Sequence, residues 1–456
     1  MLERKKLSIL LPVAGDIAIF YFSLLLMLLM RYPESGFFAF YWKLHWPPFT
    51  ILFLIWILTF VSAGLYQASI TKNEFTFTKR LARAAMINAF LGIFLFYSIP
   101  AFKITPRANL FIVLLVSSIS IFIWRHILNT ILANRDADRV LFFGISKEVA
   151  DFARYLTENP QFGLSPVAYI ETASVGSEIN IAPIYPVSQN INSIVARHQI
   201  DLIIISHDVS TNAEFSRILF DTLPLGVRFM QFPDFYESIT GKIPVSLITE
   251  AWILKNFVSI KSGWYERIKR LVDIILALIA AIPVLALTPF IALLITLDSS
   301  GPILYRQKRI GKRGQEIEIV KFRSMVTDAE KGTALWADEN DPRVTRIGRM
   351  LRKTRIDEFP QLWNVLLGEM SFIGPRPERP EFVATLKKEI PFYEMRHLVA
   401  PGLTGWAQIN FPYGASIKDA LEKLQYDLYY IKHRSIIIDL DILLRTIMVI
   451  LTREGR

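Results

Sequence analysis

The stretch LVDIILALIAAIPVLALTPFIALLITL, residues 271–297, decides how the chain meets a membrane. It exceeds the roughly 20 apolar residues that a helix needs to cross a bilayer. Asp273 is its only charge before Asp298. Length alone predicts a spanning helix. The flanks predict something else. Lys269 and Arg270 precede the run, and Arg306, Lys308 and Arg309 follow it. Basic residues mark the cytoplasmic side, here at both ends. Pro283 and Pro289 lie inside the run, and each removes a backbone donor and clashes with the preceding turn. A helix over 268–297 that enters the membrane, breaks and returns to the same face satisfies both features. The competing reading is a kinked spanning helix, which would put the rest of the chain outside the cell.

Working outward toward the N-terminus, four more apolar stretches cover roughly 7–30, 47–66, 84–100 and 108–124. They predict a four-helix transmembrane bundle within residues 1–134; the third is the shortest and ends at Pro100. Asp16, the acid of the first stretch, is expected at the membrane edge or paired with a neighbouring helix. Arg4, Lys5, Lys6, Lys72, Lys79, Arg80, Arg83, Arg125, Arg135 and Arg139 outnumber Arg31, Lys43, Lys103 and Arg107 on the opposite side. This bias puts the N-terminus and the segment after residue 125 in the cytoplasm. The whole composition agrees. Of 456 residues, 52% are hydrophobic and 20% charged, below the roughly 25% charge of soluble domains. The many aromatic residues exclude a disordered chain. Absence of cysteine excludes disulfides, thiolate metal sites and Cys nucleophiles. The net charge of +10 fits contact with anionic lipid and a phosphate-handling site, and no nucleic-acid partner is expected.

Residues 135–250 read as a Rossmann-like α/β domain. Apolar runs at Arg139–Gly144, Val167–Ile170 and Leu202–Ser206 look like buried parallel strands, alternating with helical patterns near 147–158 and 212–222. The turn after the first strand keeps only Gly144 of a G-x-G-x-x-G dinucleotide fingerprint, so a structural or regulatory role is expected over cofactor binding.

Residues 251–456 carry the chemistry. Arg306-Gln307-Lys308-Arg309-Ile310-Gly311-Lys312-Arg313-Gly314 reads as a basic hairpin. Lys321 and Arg323, spaced i, i+2, would share one face of a strand and suit a phosphate pair. Asp357-Glu358 precedes Pro360, where a helix is expected to begin, so both carboxylates would sit at a helix N-terminus. Arg352, Lys353 and Arg355 just upstream are expected to keep the pair's pKa low and attract an anion. Gly374-Pro375-Arg376-Pro377 reads as a rigid turn presenting one arginine, and Pro401-Gly402-Leu403-Thr404-Gly405-Trp406 as another turn. Ile436–Leu451 is amphipathic, suited either to the membrane or to the catalytic core.

In order along the chain, these motifs resemble those of the monotopic phosphoglycosyl transferases, the bacterial sugar transferase family. The resemblance runs from about Arg267 to Arg456 and includes Lys269-Arg270-Leu271-Val272-Asp273, Lys321-Phe322-Arg323-Ser324-Met325, Asp341-Pro342-Arg343-Val344-Thr345, Asn364-Val365-Leu366 and Asp427-Leu428-Tyr429-Tyr430. It implies a membrane α/β protein: the bundle, the degenerate Rossmann-like domain, then a catalytic α/β domain anchored by a re-entrant helix. It also implies transfer of a hexose-1-phosphate from a UDP-sugar to polyprenyl phosphate with release of UMP, at the cytoplasmic face of the bacterial inner membrane. Asp357 would be the nucleophile that carries the phosphosugar, and Glu358 the Mg²⁺ ligand. Lys321, Arg323, Arg352 and Arg376 would cradle phosphate oxygens, with Pro377, Arg396 and Asp427 in the substrate-binding set. One departure stands out: the family's helix-breaking proline falls near Ala286, which Pro283 and Pro289 flank here. A homodimer is expected. The alternatives are a membrane-bound nucleotide-sugar dehydratase and a non-catalytic scaffold or transporter.

Overall fold

Long apolar runs become helices because a membrane offers no partner for an open backbone N–H or C=O. The computed structural model describes residues 2–33, 38–66, 75–99, 107–133, 137–171, 182–206, 213–257, 263–327, 341–411, 414 and 416–452. The chain forms two units, Met1–Phe235 and Tyr236–Arg456. The first opens with α1 (Leu2–Arg31), α2 (Phe38–Ser62), α3 (Phe75–Ser98) and α4 (Arg107–Ala133), all long and apolar enough to cross a membrane. Helix α2 starts well before the expected residue 47, because Pro47 and Pro48 lie inside it rather than opening it. Lys72, Lys103 and Arg135 of the charge pattern lie outside the described residues.

The bundle interior is aromatic, with Phe20, Phe49, Phe53 and Trp56 all buried. Within it Arg125 and Asp16 form a buried ion pair at 2.7 Å. The Tyr66 hydroxyl donates to the same Asp16 oxygen at 2.9 Å, and the guanidinium lies 4.9 Å over the Tyr66 ring. Asp16 thus pairs with a neighbouring helix, as one of the two expectations had it. Arg125 is no loop charge; it sits inside α4, so it leaves the topology count.

The rest of this unit is a five-stranded parallel sheet: β1 (Asp138–Phe143), β2 (Leu164–Glu171), β3 (Ile184–Pro186), β4 (Leu202–Ile205) and β5 (Arg228–Gln231), in the order β3-β2-β1-β4-β5. Helices α5 (Lys147–Glu158), α6 (Ile191–His198) and α7 (Ala213–Phe220) alternate with the strands. This is the doubly wound order that the apolar runs predicted. Strands β3 and β5 escaped the sequence reading; both are short and mostly half-buried or exposed.

The division between the units falls within α8 (Phe232–Thr240); in the second unit α9 (Glu250–Phe257) precedes α10 (Gly263–Asp298). Helix α10 runs unbroken through Pro283 and Pro289, so the break expected within 268–297 is not seen. Its buried residues Asp273, Ala277, Ile291 and Ile295 keep helical spacing, so a single stripe faces the domain along most of its length. Near its N-terminal end, Arg270 binds the carbonyls of Val365 and Leu366, and Asp273 accepts the Phe372 N–H at 3.0 Å. At the other end, Asp298 accepts the Ile347 N–H at 2.9 Å. The opposite face leaves Ile282, Leu285, Phe290 and Leu297 more than two-thirds exposed, an apolar surface suited to lipid.

The basic segment forms the expected antiparallel hairpin, β6 (Leu304–Ile310) and β7 (Glu316–Phe322). Next come α11 (Arg346–Lys353), a 3₁₀ turn (Ile356–Gln361), α12 (Leu362–Leu367) and β8 (Ser371–Ile373). The chain then continues through α13 (Pro380–Glu389), a second 3₁₀ turn (Tyr393–Leu398), β9 (Gly402–Thr404), α14 (Trp406–Asn410), α15 (Ile417–His433) and α16 (Ile436–Thr452). Helix α16 buries Ile442 in the domain core and pairs Asp439 with Lys269 at 3.1 Å, while Ile437 is 80% exposed. It therefore packs on the core and also shows an apolar outer face.

The Asp16–Arg125 pair yields a prediction. Removing one member strands the other in an apolar bundle, typically costing about 3–5 kcal/mol, whereas replacing both by apolar groups costs little. Asp16→Ala should therefore lower the melting temperature in detergent more than Asp16→Leu combined with Arg125→Met. Equal losses would contradict the pairing.

Candidate active site

The site is assembled by short connections held at their ends. Asn364 on α12 donates to the Glu318 carbonyl at 2.8 Å and to the Glu369 carboxylate at 2.7 Å, and it accepts the Val320 N–H at 3.3 Å. It thereby fixes β7 against the turn that precedes α12. That turn carries Asp357 and Glu358. The helix does not begin at Pro360; a 3₁₀ segment starts at Ile356, led in by Arg355 in the left-handed region at φ 59°. Both carboxylates thus lie inside the first tight turn.

The Gly374-Pro375-Arg376-Pro377 turn is held from the other side. Gly374 N–H bonds to the Thr404 carbonyl and Gly402 N–H to the Pro375 carbonyl, each at 2.9 Å. The two glycines touch so closely that a Cβ on Gly402 would lie 2.1 Å from the Gly374 nitrogen. This contact joins two motifs that the sequence showed separately, and it aims Arg376 at the dyad.

Glu358 is the hub. Its Oε1 meets Lys321 Nζ at 3.1 Å, Arg355 Nη1 at 3.9 Å and Arg376 Nη2 in a close contact; Oε2 takes Arg376 Nη1 at 3.4 Å. Burial alone would push its pKa up, but Arg376 and Lys321 overcome that and hold it well below the usual carboxylate range. Asp357 behaves oppositely. Burial and the Glu358 charge push it up, only partly offset by Lys321, Arg352 and Arg355. The expectation of a low pKa thus holds for one carboxylate and fails for its neighbour, because the collar of cations closes on Glu358. Asp357 is 7% exposed, and its Oδ1 has no hydrogen-bond partner among the described residues. Burial lowers the Lys321 pKa despite Glu358, while Glu358 raises that of Arg376.

Other expected residues fall elsewhere. Lys321 and Arg323 do not act side by side, since β7 ends at Phe322 and its alternation stops there. Arg323 turns to Ser299 at the end of α10, donating to its carbonyl at 2.6 Å and its hydroxyl at 3.0 Å. Gly301, at φ +125°, leaves the room: a Cβ there would lie 2.4 Å from Arg323 Nη1. Arg352 donates to the Ser324 hydroxyl at 2.9 Å and acts on Asp357 through its charge. Arg396 and Asp427 form a buried pair at 2.9 Å behind the site, and Arg396 Nη2 donates to the Arg376 carbonyl at 3.0 Å. The Pro377 carbonyl accepts from Arg309 at 3.3 Å. Arg309 was read only as part of the basic hairpin. Strand alternation could have singled it out, because Arg306 and Lys308 point outward to Glu318 and Glu316 while Arg309 points in.

The chain has relatives among known proteins. The bacterial sugar transferase family matches residues 264–453. A UDP-glucose:undecaprenyl-phosphate glucose-1-phosphate transferase of Xanthomonas campestris pv. campestris is 31% identical over 335 residues, 70% of this chain and 68% of that protein. The chain belongs to the bacterial sugar transferase family. A UDP-N-acetylgalactosamine-undecaprenyl-phosphate N-acetylgalactosaminephosphotransferase of Aeromonas hydrophila is 44% identical over 220 residues, 48% of this chain and 51% of that protein. A UDP-glucose:undecaprenyl-phosphate glucose-1-phosphate transferase of Escherichia coli (strain K12) is 41% identical over 190 residues, 41% of this chain and 40% of that protein. The chain thus matches about half the length of the Aeromonas relative. For this family member, neither the dehydratase nor the scaffold alternative finds support in those relatives' names.

The split dyad can be read directly. Carboxyl-selective NMR should find Asp357 titrating above the ordinary carboxylate range and Glu358 below it. Arg376→Met should move the Glu358 titration upward, since the carboxylate loses its main counter-charge. An unmoved Glu358 would contradict the collar.

Proposed function

We propose that the chain transfers a hexose-1-phosphate from a UDP-sugar to polyprenyl phosphate, releasing UMP, as the priming step of bacterial surface polysaccharide synthesis. The observation that carries this is the pair of adjacent buried carboxylates with opposite electrostatics. Glu358 is surrounded by cations that hold its pKa well below the usual carboxylate range; Asp357 keeps an oxygen without a partner among the described residues and a raised basicity. A more basic carboxylate is the better nucleophile.

In the first step, an Asp357 oxygen attacks the β-phosphorus of the donor. The bond from that phosphorus to the bridging oxygen breaks, and its electron pair leaves with UMP. In the second step, a polyprenyl phosphate oxygen attacks the phosphorus of the acyl phosphate, the bond to Asp357 breaks, and the carboxylate is restored. Splitting the reaction lets two polyanions react in turn. Lys321 and Arg376 meet the developing phosphate charge, with Arg352 behind them, while Arg323 is held by Ser299. Arg396, paired with Asp427, holds the Arg376 carbonyl, and Arg309 holds the neighbouring Pro377 carbonyl.

Mg²⁺ belongs to the same proposal. It is commonly held by one or two carboxylates together with substrate phosphates, and the dyad offers both carboxylates. Among the described residues no cluster of three or more acids and histidines exists, so phosphate oxygens would complete the shell. Glu358 would give up one cation contact to join it. The ion would supply charge neutralisation for the leaving UMP.

The basic residues at both ends of α10 keep a path that returns to one face, and a site at the cytoplasmic face of the inner membrane, as part of this reading, although the helix shows no break at Pro283 or Pro289. A homodimer remains part of this reading.

Release of UMP from UDP-sugars by the full-length protein, with polyprenyl phosphate and Mg²⁺, tests the proposal. Asp357→Asn should cut kcat/KM by more than about 10³-fold while leaving the melting temperature near wild type. The active form of Asp357 is ionised, so the rate should be lost as pH falls through its raised pKa. The acid limb should thus lie above the ordinary value of about 4. An active Asp357→Asn variant would overturn the proposal.

A further inference from the structure

Helix α11 has two faces of opposite chemistry. Gly348 and Leu351 are buried and Ile347 is half-buried. Ile347 and Leu351 pack with Ile291 and Ile295 of α10. Gly348 presses so closely on the chain just beyond β7 that a Cβ there would lie 2.0 Å from the Ser324 carbonyl oxygen. These contacts fix the roll of the helix. On its outer side Arg346, Arg349, Met350 and Lys353 follow the i, i+3, i+4, i+7 spacing of a single face, and all four are exposed.

That face carries three positive charges and no negative one. The Thr345 hydroxyl caps the helix by accepting the Gly348 N–H at 3.0 Å, but the first turn holds no acid. Arg346 and Arg349 instead sit near the positive end of the helix dipole, where a cation is disfavoured. Repulsion among the three cations adds to that cost, so stability of the fold does not account for them. Among the described residues, neither Arg349 nor Lys353 forms an ion pair. The exposed Arg306 and Lys308 of the hairpin differ, being paired with Glu318 at 2.9 Å and Glu316 at 3.0 Å.

The neighbourhood says what meets this face. The start of α11 is fastened to the end of α10, where Asp298 accepts the Ile347 N–H at 2.9 Å. The last turns of α10 leave Leu293 and Leu297 57% and 76% exposed, on the surface suited to lipid. A helix end that leaves the hydrocarbon core emerges among the headgroups. The cationic stripe therefore lies beside the point where the apolar face of α10 ends, and the exposed Met350 adds an apolar contact to it. Basic side chains next to apolar surface at that depth match an anionic membrane surface.

We propose that the outer face of α11 binds the headgroups of anionic phospholipids, and that this contact sets the height of the catalytic turn above the bilayer. The inner side of the same helix carries Arg352, which holds the Ser324 hydroxyl at 2.9 Å, and the chain runs from Lys353 directly into the turn that bears Asp357 and Glu358. Lipid binding by α11 does not depend on the transfer reaction; its consequence for the catalytic turn rests on that reading.

The chain has no cysteine, so Met350→Cys supplies one labelling position on this face. Full-length Met350→Cys protein bearing a nitrobenzoxadiazole fluorophore is placed in phosphatidylcholine nanodiscs that contain equal small fractions of 5-doxyl phosphatidylglycerol or of 5-doxyl phosphatidylcholine. The two quenchers lie at one depth and differ in headgroup charge. One cation at an anionic surface corresponds to about fivefold local enrichment. Quenching by the phosphatidylglycerol should therefore exceed quenching by the phosphatidylcholine by about fivefold or more. The excess should vanish in Arg346→Gln/Arg349→Gln and persist in Arg306→Gln/Lys308→Gln, which removes the same charge from the hairpin. No quenching by either lipid, equal quenching by both, or an equal loss in the hairpin variant would overturn the proposal. So would loss of the excess on adding one equivalent of polyprenyl phosphate, since the face would then belong to that lipid. UMP release by unlabelled enzyme should be faster in discs with phosphatidylglycerol than without it, and Arg346→Gln/Arg349→Gln should abolish the difference. A rate indifferent to phosphatidylglycerol would overturn the link to the catalytic turn. No UMP release in any disc, with the quenching excess intact, would sink the transfer reaction and leave the lipid site standing.

Discussion

One carboxylate surrounded by cations organises the catalytic unit. Lys321 comes from a hairpin strand, Arg355 from the start of the 3₁₀ turn and Arg376 from a proline-flanked turn, and all three meet Glu358. Buried charges are tolerated only when well paired, so each segment is fixed by the need to neutralise the others. The geometry of the dyad follows from this. With Glu358 occupied, its neighbour Asp357 is left buried beside a negative charge, with an oxygen that no described residue holds. A pair of adjacent acids, chemically alike in sequence, becomes one electrostatic anchor and one carboxylate of raised basicity.

The supporting layers extend the same logic. Asn364 stitches β7 to the turn, and the Gly374–Gly402 contact sets the direction of Arg376. The Arg396–Asp427 pair then holds the Arg376 carbonyl from behind. Helix α10 is fastened at both ends and along one stripe, leaving its other face apolar and exposed. The carboxylate pair is therefore mounted on a unit whose α10 presents an outer surface suited to lipid.

Much of the fold was legible because its signals are local. Long apolar runs gave the membrane helices, and buried strand runs gave the core of the parallel sheet. The basic segment at 306–314 gave the hairpin. Short, partly exposed strands such as β3 and β5 carried no such signal. The site was legible as a set of motifs, but their partnerships were not. Nothing in sequence spacing says that Arg323 turns away to Ser299 while Lys321 reaches Glu358, because that depends on where β7 ends and on the space at Gly301. The split between Asp357 and Glu358 was equally hidden, since burial and Coulomb attraction compete there and only their positions decide which wins. Arg125 misled as a topology marker because a buried partner 109 residues away claims it.

The central claim is that Asp357 becomes covalently bonded to the phosphosugar during turnover. Enzyme mixed with UDP-sugar in the absence of polyprenyl phosphate, quenched rapidly and mapped by peptide mass spectrometry, tests it most directly. The account predicts a hexose-phosphate mass increment on the peptide carrying Asp357, lost when polyprenyl phosphate is added before the quench. UMP formation with an unmodified Asp357 peptide, or an adduct on another residue, would contradict it.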